Sequence, residues 1–271
     1  MDAKKNVTRR DILKLGSAGI IGLAGSYLVD SVVGVNPIIK AAAPSGNKHG
    51  KMNHSNPMID VSKSEGYKMA EKALTTFDYG KVSTLPNGQT LRVYEIEAID
   101  KEIEIAKGIM FPGWTYNGTI PGPTFRCTEG DFLRFNFTNK GSHPHSIHFH
   151  GIHPPEMDGI EPIFPGESFT YEFEAQPYGF QVYHCHVLPL ARHIHKGLYG
   201  NFIIDPKKPR APALEMNMVM NGYDLDLDGA NEFYTVNGFA NAFMNQTIKI
   251  KKDQLVRIYL SNLTEFDLLN S

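Results

Sequence analysis

Asp131-Phe132-Leu133-Arg134-Phe135-Asn136-Phe137 sets apolar against polar residues in turn from Leu133 onward, the period of an extended strand with one buried face. Working outward, the same short pattern returns at Leu91 to Ala98, Lys101 to Ala106, Ser168 to Ala175, Gln181 to Cys185 and Leu198 to Ile204, with Gly and Pro as punctuation. Helical periodicity is confined to one amphipathic piece, Ser64 to Thr75, where Met69 and Leu74 are packing residues. Short strands with almost no helix predict an all-β protein, a sandwich or barrel.

The 271 residues include 41% hydrophobic ones, enough for a core. A net charge of -2 provides no long-range field for a polyanion, so nucleic acid is set aside as a partner. With Cys127 and Cys185 as the only cysteines, a disulfide-stapled scaffold is excluded, and Cys127 reads as a buried free thiol at a strand end. Histidine is the anomaly: nine of eleven lie between His143 and His195.

Four segments follow from composition. Residues 1–43 read as a twin-arginine export signal, with Thr8-Arg9-Arg10-Asp11-Ile12-Leu13-Lys14 ahead of a Gly-rich apolar stretch that Asp30 and four glycines make too weak for a membrane span. This predicts export to the periplasm or beyond, with the signal cleaved or kept as an anchor. Residues 44–80 form a linker whose His49, Met52, His54 and Met58 have nothing to fix their geometry. Residues 81–207 hold the strand-rich domain, and Pro206-Lys207-Lys208-Pro209-Arg210-Ala211-Pro212 leads out of it, its prolines unable to donate to a ladder. Residues 208–271 start a second strand-rich unit, too short to close a sandwich of about 100 residues. Within it, Asp224-Leu225-Asp226-Leu227-Asp228-Gly229 has the look of a calcium loop, but Thr235 occupies the closing Glu position, so it reads as an acidic turn.

Two motifs carry the chemistry: His145-Ser146-Ile147-His148-Phe149-His150-Gly151 and His184-Cys185-His186, both placed on predicted strands. Because side chains on a strand alternate faces, His148 and His150 point one way and His145 the other, while His184 and His186 share a face opposite Cys185. Each motif therefore feeds two centres. Cys185, His145 and a later histidine form the trigonal Cys-plus-two-His set that suits blue copper, and the four paired imidazoles supply nitrogen to a second centre. Either motif alone is weak evidence, since a His-x-His is commonly a surface pair and a lone Cys inert packing. Zinc also takes Cys and His, yet it does not explain seven ligands split over two faces. The later histidine is His193 or His195, and His143 and His153 fall outside the pattern as loop histidines or donors to the ligands.

Ala191-Arg192-His193-Ile194-His195-Lys196-Gly197-Leu198-Tyr199-Gly200, together with Asn117-Gly118-Thr119-Ile120-Pro121-Gly122-Pro123-Thr124-Phe125-Arg126 and Glu129-Gly130-Asp131, resembles the multicopper oxidases, specifically their two-domain laccase-like members, and their relatives the copper nitrite reductases. The resemblance runs from about Tyr94 to Ser271 and implies a cupredoxin fold, a Greek-key β-sandwich, complete once and begun a second time. It selects His193, five residues before Leu198, as the third ligand of a type 1 copper with His145 and Cys185, and puts Leu198 at the axial position. It assigns His148, His150, His184 and His186 to half of a type 2/type 3 copper cluster. Nitrite reductases carry an Asp where this sequence has His148 and a non-ligand where it has His186, so the resemblance favours an oxidase that takes electrons from a small-molecule or metal-ion reductant and reduces O2 to water. Nitrite reduction and electron transfer without catalysis are the other readings. The phrase Asn262 to Ser271 resembles the lead into a second domain's first His-x-His, which implies a truncated chain, inactive alone, and a homotrimer when complete.

Overall fold

The computed structural model describes residues 60–264, apart from 227 and 245. The residues read as an export signal and the Met- and His-bearing stretch before Asp60 lie outside the described residues. Among the described residues, no helix is long and apolar enough to cross a membrane.

Thirteen strands make three sheets among those residues. The first contains β1 (Lys81–Thr84), β2 (Thr90–Ala106), β3 (Ile109–Tyr116), β5 (Phe132–Asn139) and β7 (Ser168–Glu174), in the order β1-β2-β5-β7 with β3 also on β2. The second runs β4 (Phe125–Thr128), β9 (Tyr199–Asp205), β8 (Gly179–His184), β6 (His148–Phe149). In the third the order is β12 (Phe239–Ala240), β11 (Phe233–Val236), β10 (Leu214–Tyr223), β13 (Val256–Asn262). Each sheet holds one parallel pair of strands distant in sequence, β2 with β5, β4 with β9 and β10 with β13, so the chain crosses between layers instead of meandering. This is the all-β architecture that the alternation predicts.

The stretch that decides the fold occupies its centre. On β5, Leu133, Phe135 and Phe137 are fully buried while their neighbours are half-exposed. The Phe135 ring lies 4.6 Å from Tyr94 and 4.3 Å from Phe149, which ties the first sheet to the second. Each such buried side chain contributes about 1.5–3 kcal/mol. Phe149 sits between His148 and His150, so the packing that closes the core also aims the imidazoles beside it.

One expectation is corrected. Leu91 to Ala98 and Lys101 to Ala106 are one strand, not two, because β2 serves β5 through Leu91 to Ala98 and then β3 from Ala98 onward. The pattern lapses at Asp100, Lys101 and Glu102 because all three are exposed at the change of partner. The amphipathic piece expected from Ser64 to Thr75 is a helix. Within residues 44–80 the helix α1 (Glu65–Thr75) is packed, with Tyr67, Ala70 and Leu74 buried and Tyr67 edge-on to Phe239 at 6.4 Å. The third sheet in turn meets the far half of β2 through Ile103, Ile105, Phe111, Val219 and Tyr223.

Candidate metal centre

The two histidine motifs straddle strand ends instead of lying within strands. His148 opens the two-residue β6, His145 precedes it on an isolated bridge to Ile163, and β8 ends at His184. Strand alternation persists locally nonetheless, held by pairing of His148 with His184 and by the bond from Cys185 N to Leu198 O at 3.0 Å.

His145, Cys185 and His193 converge, all buried. Cys185 Sγ is 3.2 Å from His193 Nδ1, which is 3.3 Å from His145 Nδ1. Donors at about 2.0–2.3 Å from a common centre stand roughly 3.5–3.7 Å apart in a trigonal set, so the three atoms fit one ion with a small outward adjustment. His193 is carried by a short helix, α2 (Leu190–His195), which also carries His195. Two residues on a helix point about 200° apart. His195 accordingly leaves the group, with Nε2 3.2 Å from the carbonyl of Asp224 and its ring 5.8 Å from Phe111. Leu198 is fully buried in the cluster that holds Cys185, its N–H donating to the His193 carbonyl at 3.2 Å.

On the opposite parity His148, His150 and His184 converge, with Nε2 of His150 and His184 3.1 Å apart. His186 flanks this trio, its ring 4.6 Å from His148 but 6.1 Å from His184. The structure thus brings three of the four paired imidazoles to one focus and sets the fourth beside it, an arrangement that can hold more than one ion.

Asp158, which the sequence reading overlooked, organises that pair. Its carbonyl accepts from Nδ1 of both His148 and His186 at 3.0 Å, and its carboxylate lies 3.2 Å from His148 Nδ1 and 3.4 Å from His186 Nδ1. Bonds at Nδ1 leave Nε2 of each ring free to face a metal. The His184 Nδ1 is held likewise by the Cys185 carbonyl at 2.9 Å. Gly159 makes the approach possible: at φ +76 it adopts a backbone that side chains rarely take, and a Cβ there would stand 2.2 Å from the Ile147 carbonyl. His153 is close enough to join in, 5.6 Å ring to ring from His148. His153 also converges with His148 and Asp158 as a further group, its Nε2 3.8 Å from the Asp158 carboxylate, whereas His143 lies over Trp114 and falls in no convergent group among the described residues.

Burial favours the neutral form of five of these imidazoles. It pushes His145 down to about 3, aided by His193, and His184 and His193 down to about 4. His148 and His150 shift the same way for the same reason, while burial raises the Cys185 thiol. Neutral imidazole is the metal-binding form. The sign of the stability effect follows. Above the ordinary value of 6.5 folded and unfolded rings are both neutral; below it the unfolded chain binds protons that the folded site refuses. Stability of the copper-free protein is therefore expected to fall as pH drops from 6.5 towards 4, by about 1.4 kcal/mol per pH unit for each of His145 and His184. Denaturant titrations at pH 7, 6 and 5 check this, and a flat profile contradicts it.

Elsewhere, Asp224, Asp226, Asp228 and Glu232 come together. All four accept from backbone N–H groups of their own loop, as an acidic turn does. Cys127 is a buried free thiol in β4, as expected.

Residues 98–209 match the family model described as multicopper oxidase. Among solved structures the chain resembles a multicopper oxidase crystal structure at 56% identity and a TM-score of 0.72, covering 73% of this chain and 72% of that one. It is also similar to the copper-containing nitrite reductase of Neisseria meningitidis serogroup A, 28% identical over 190 residues, 62% of this chain and 49% of the relative. Laccase-2 of Botryotinia fuckeliana is 35% identical over 129 residues, 44% of this chain and 22% of the relative. The chain spans about half the length of the nitrite reductases it matches.

Proposed function

Because the chain belongs to the multicopper oxidase family, whose members bind copper, we propose that it is a laccase-like oxidase of the two-domain kind, reducing O2 to water with electrons from a small-molecule or metal-ion reductant. His145, Cys185 and His193 would hold the type 1 copper, and the buried Leu198 beside them offers no sulfur, which would raise its potential. His148, His150, His184 and His186 provide half of the type 2/type 3 cluster. Bound copper would supply one-electron redox chemistry, accepting electrons singly at the Cys185 centre and delivering them to dioxygen at the histidine cluster. The protein's part is orientation: Asp158 fixes the His148 and His186 rings, burial favours the neutral form of His145, His184 and His193, and the backbone at Cys185 joins the two groups.

One observation carries the reading: Cys185 lies in one donor group while His184, its chain neighbour, lies in the other. Four imidazoles are too few for three copper ions, and among the described residues His153 adds only a group with His148 and Asp158, while His143 and His195 join no convergent group. The proposal therefore includes a homotrimer in which a neighbouring subunit completes each cluster, and export by the twin-arginine route. Nitrite reduction is the second reading, supported by the nitrite reductase relatives. His186 beside His148 speaks for oxygen, since it adds a ligand that a single-copper centre does not use.

The test is consumption by the copper-loaded full-length protein. Oxygen uptake with water as product is expected. Nitrite consumption without oxygen uptake would replace this reading with the second, and consumption of neither would leave an electron carrier. The 271-residue chain alone is expected to bind the type 1 copper and take up no oxygen; uptake would refute the shared cluster.

A further inference from the structure

Trp114, the only tryptophan of the chain, packs against both imidazoles of the Cys185 group. Its ring lies 5.1 Å from His145 and 4.9 Å from His193, and on its outer side 4.5 Å from the exposed His143. Its backbone N–H donates to the Lys196 carbonyl at 2.8 Å, so the end of β3 is fastened to the loop after α2. Two cations reach over the indole: Arg192 Cζ is 5.8 Å and Lys196 Nζ 6.0 Å from the ring. These residues border a depression of about 400 Å³, roomy enough for a substituted aromatic ring.

The charges around it are unevenly engaged. Asp100 accepts from the N–H and hydroxyl of Ser142, and the Lys101 ammonium donates to the Gly118 carbonyl at 2.9 Å. Arg192 and Lys196 have no carboxylate partner within ion-pair distance among the described residues. The rim therefore carries three cations, Lys101, Arg192 and Lys196, against two carboxylates, Asp100 and Glu102, an excess of one positive charge. A desolvated or half-buried cation without a partner attracts an anion more strongly than a neutral group.

We propose that this depression is the docking site of the reductant and that it selects an aromatic donor carrying an anionic substituent. The inference rests on the copper reading above. The carboxylate or sulfonate of the donor pairs with Arg192 and Lys196, and its ring is held against His143 and the edge of Trp114. The donor loses one electron at a time, through the Trp114 and imidazole contacts, to copper(II) held by His145, Cys185 and His193. A catechol gives up two electrons and two protons in two such encounters and leaves as an ortho-quinone, its protons released to solvent.

The test compares 3,4-dihydroxybenzoate, catechol and 3,4-dihydroxybenzylamine, which share a reacting ring and differ in charge. With the copper-loaded full-length protein, bleaching of the blue band under anaerobic conditions reads electron entry for each. In R192Q/K196Q the ratio of the benzoate rate to the benzylamine rate is expected to fall about tenfold, in R192K/K196R to be kept, and high salt to shrink it in the parent. Because Trp114 is the sole tryptophan, its emission reports this depression alone. Redox-silent benzoate should change that emission saturably in the reduced parent protein and more weakly in R192Q/K196Q, while benzylamine should not. Equal rate changes for all three donors, or emission indifferent to benzoate, overturns the proposal. A copper-loaded parent without a blue band would instead overturn the copper reading, and the emission titration would still decide whether the anion site exists.

Discussion

Cys185→Ser is expected to abolish the intense blue absorption of the copper-loaded protein while leaving its fold in place. The absorption requires a thiolate bound to copper(II), and a serine hydroxyl neither ionises at neutral pH nor shares the softness of sulfur. Retention of the fold follows from the surroundings of Cys185. It is fully buried, but its Sγ receives a 3.4 Å bond from the Ser146 N–H and lies 3.2 Å from His193 Nδ1, contacts that a hydroxyl oxygen can also make, and its backbone stays paired to Leu198. The cost to the copper-free protein is about 1 kcal/mol, the middle of the range for a small buried substitution. Absorption spectra, copper content and circular dichroism of parent and variant read these outcomes separately. Cys127→Ser is the control. That thiol is buried against the Ile203 carbonyl at 3.8 Å, outside the convergent groups, and its loss should leave the band untouched. A blue band that persists in Cys185→Ser and disappears in Cys127→Ser would reject the assignment of the copper site.

The contrast between His148 and Asp158 shows what the chain made legible. Face assignment needs only the strand period, and that period survives around His148 and Cys185 even though few of the motif residues lie in strands. The core of β5 was readable for the same reason: alternation is a local property with one solution. Asp158 was not readable, because its role belongs to a backbone carbonyl that serves two rings from motifs 38 residues apart, from His148 to His186. Nothing in an aspartate's type announces a carbonyl contact; only the restricted Gly159 after it offered a signal. His193 and His195 illustrate a different limit. On a strand they would share a face, and only the six-residue helix α2, too short for a helical period to show, turns them apart. The packed helix α1 falls between these cases: its period was visible, while its partners, β2 nearby and β10 and β12 far along the chain, were not.

His148→Ala should give the reverse of the Cys185 result: the blue band stays and oxygen reduction is lost. His148 is the hub of the second group, with its ring 5.0 Å from His150, 5.2 Å from His184 and 4.6 Å from His186. Removing it deletes one metal donor and also one of the two rings that the Asp158 carbonyl steadies. Loss of a residue that merely orients a ligand already costs 10–100-fold in metal affinity or activity, so loss of the ligand itself is expected to lower oxygen uptake by roughly 100-fold or more. Copper content of the full-length protein should fall, while absorbance from the Cys185 centre per remaining type 1 copper should not. That separation follows from parity, since His145 turns away from His148 to meet Cys185 and His193. The fold should tolerate the change, because His148 is only half-buried and Phe149 continues to fill the core beside it. Should His148→Ala and Cys185→Ser each lose both signals together, the two groups form a single interdependent site, and the division of the motif between two faces is wrong.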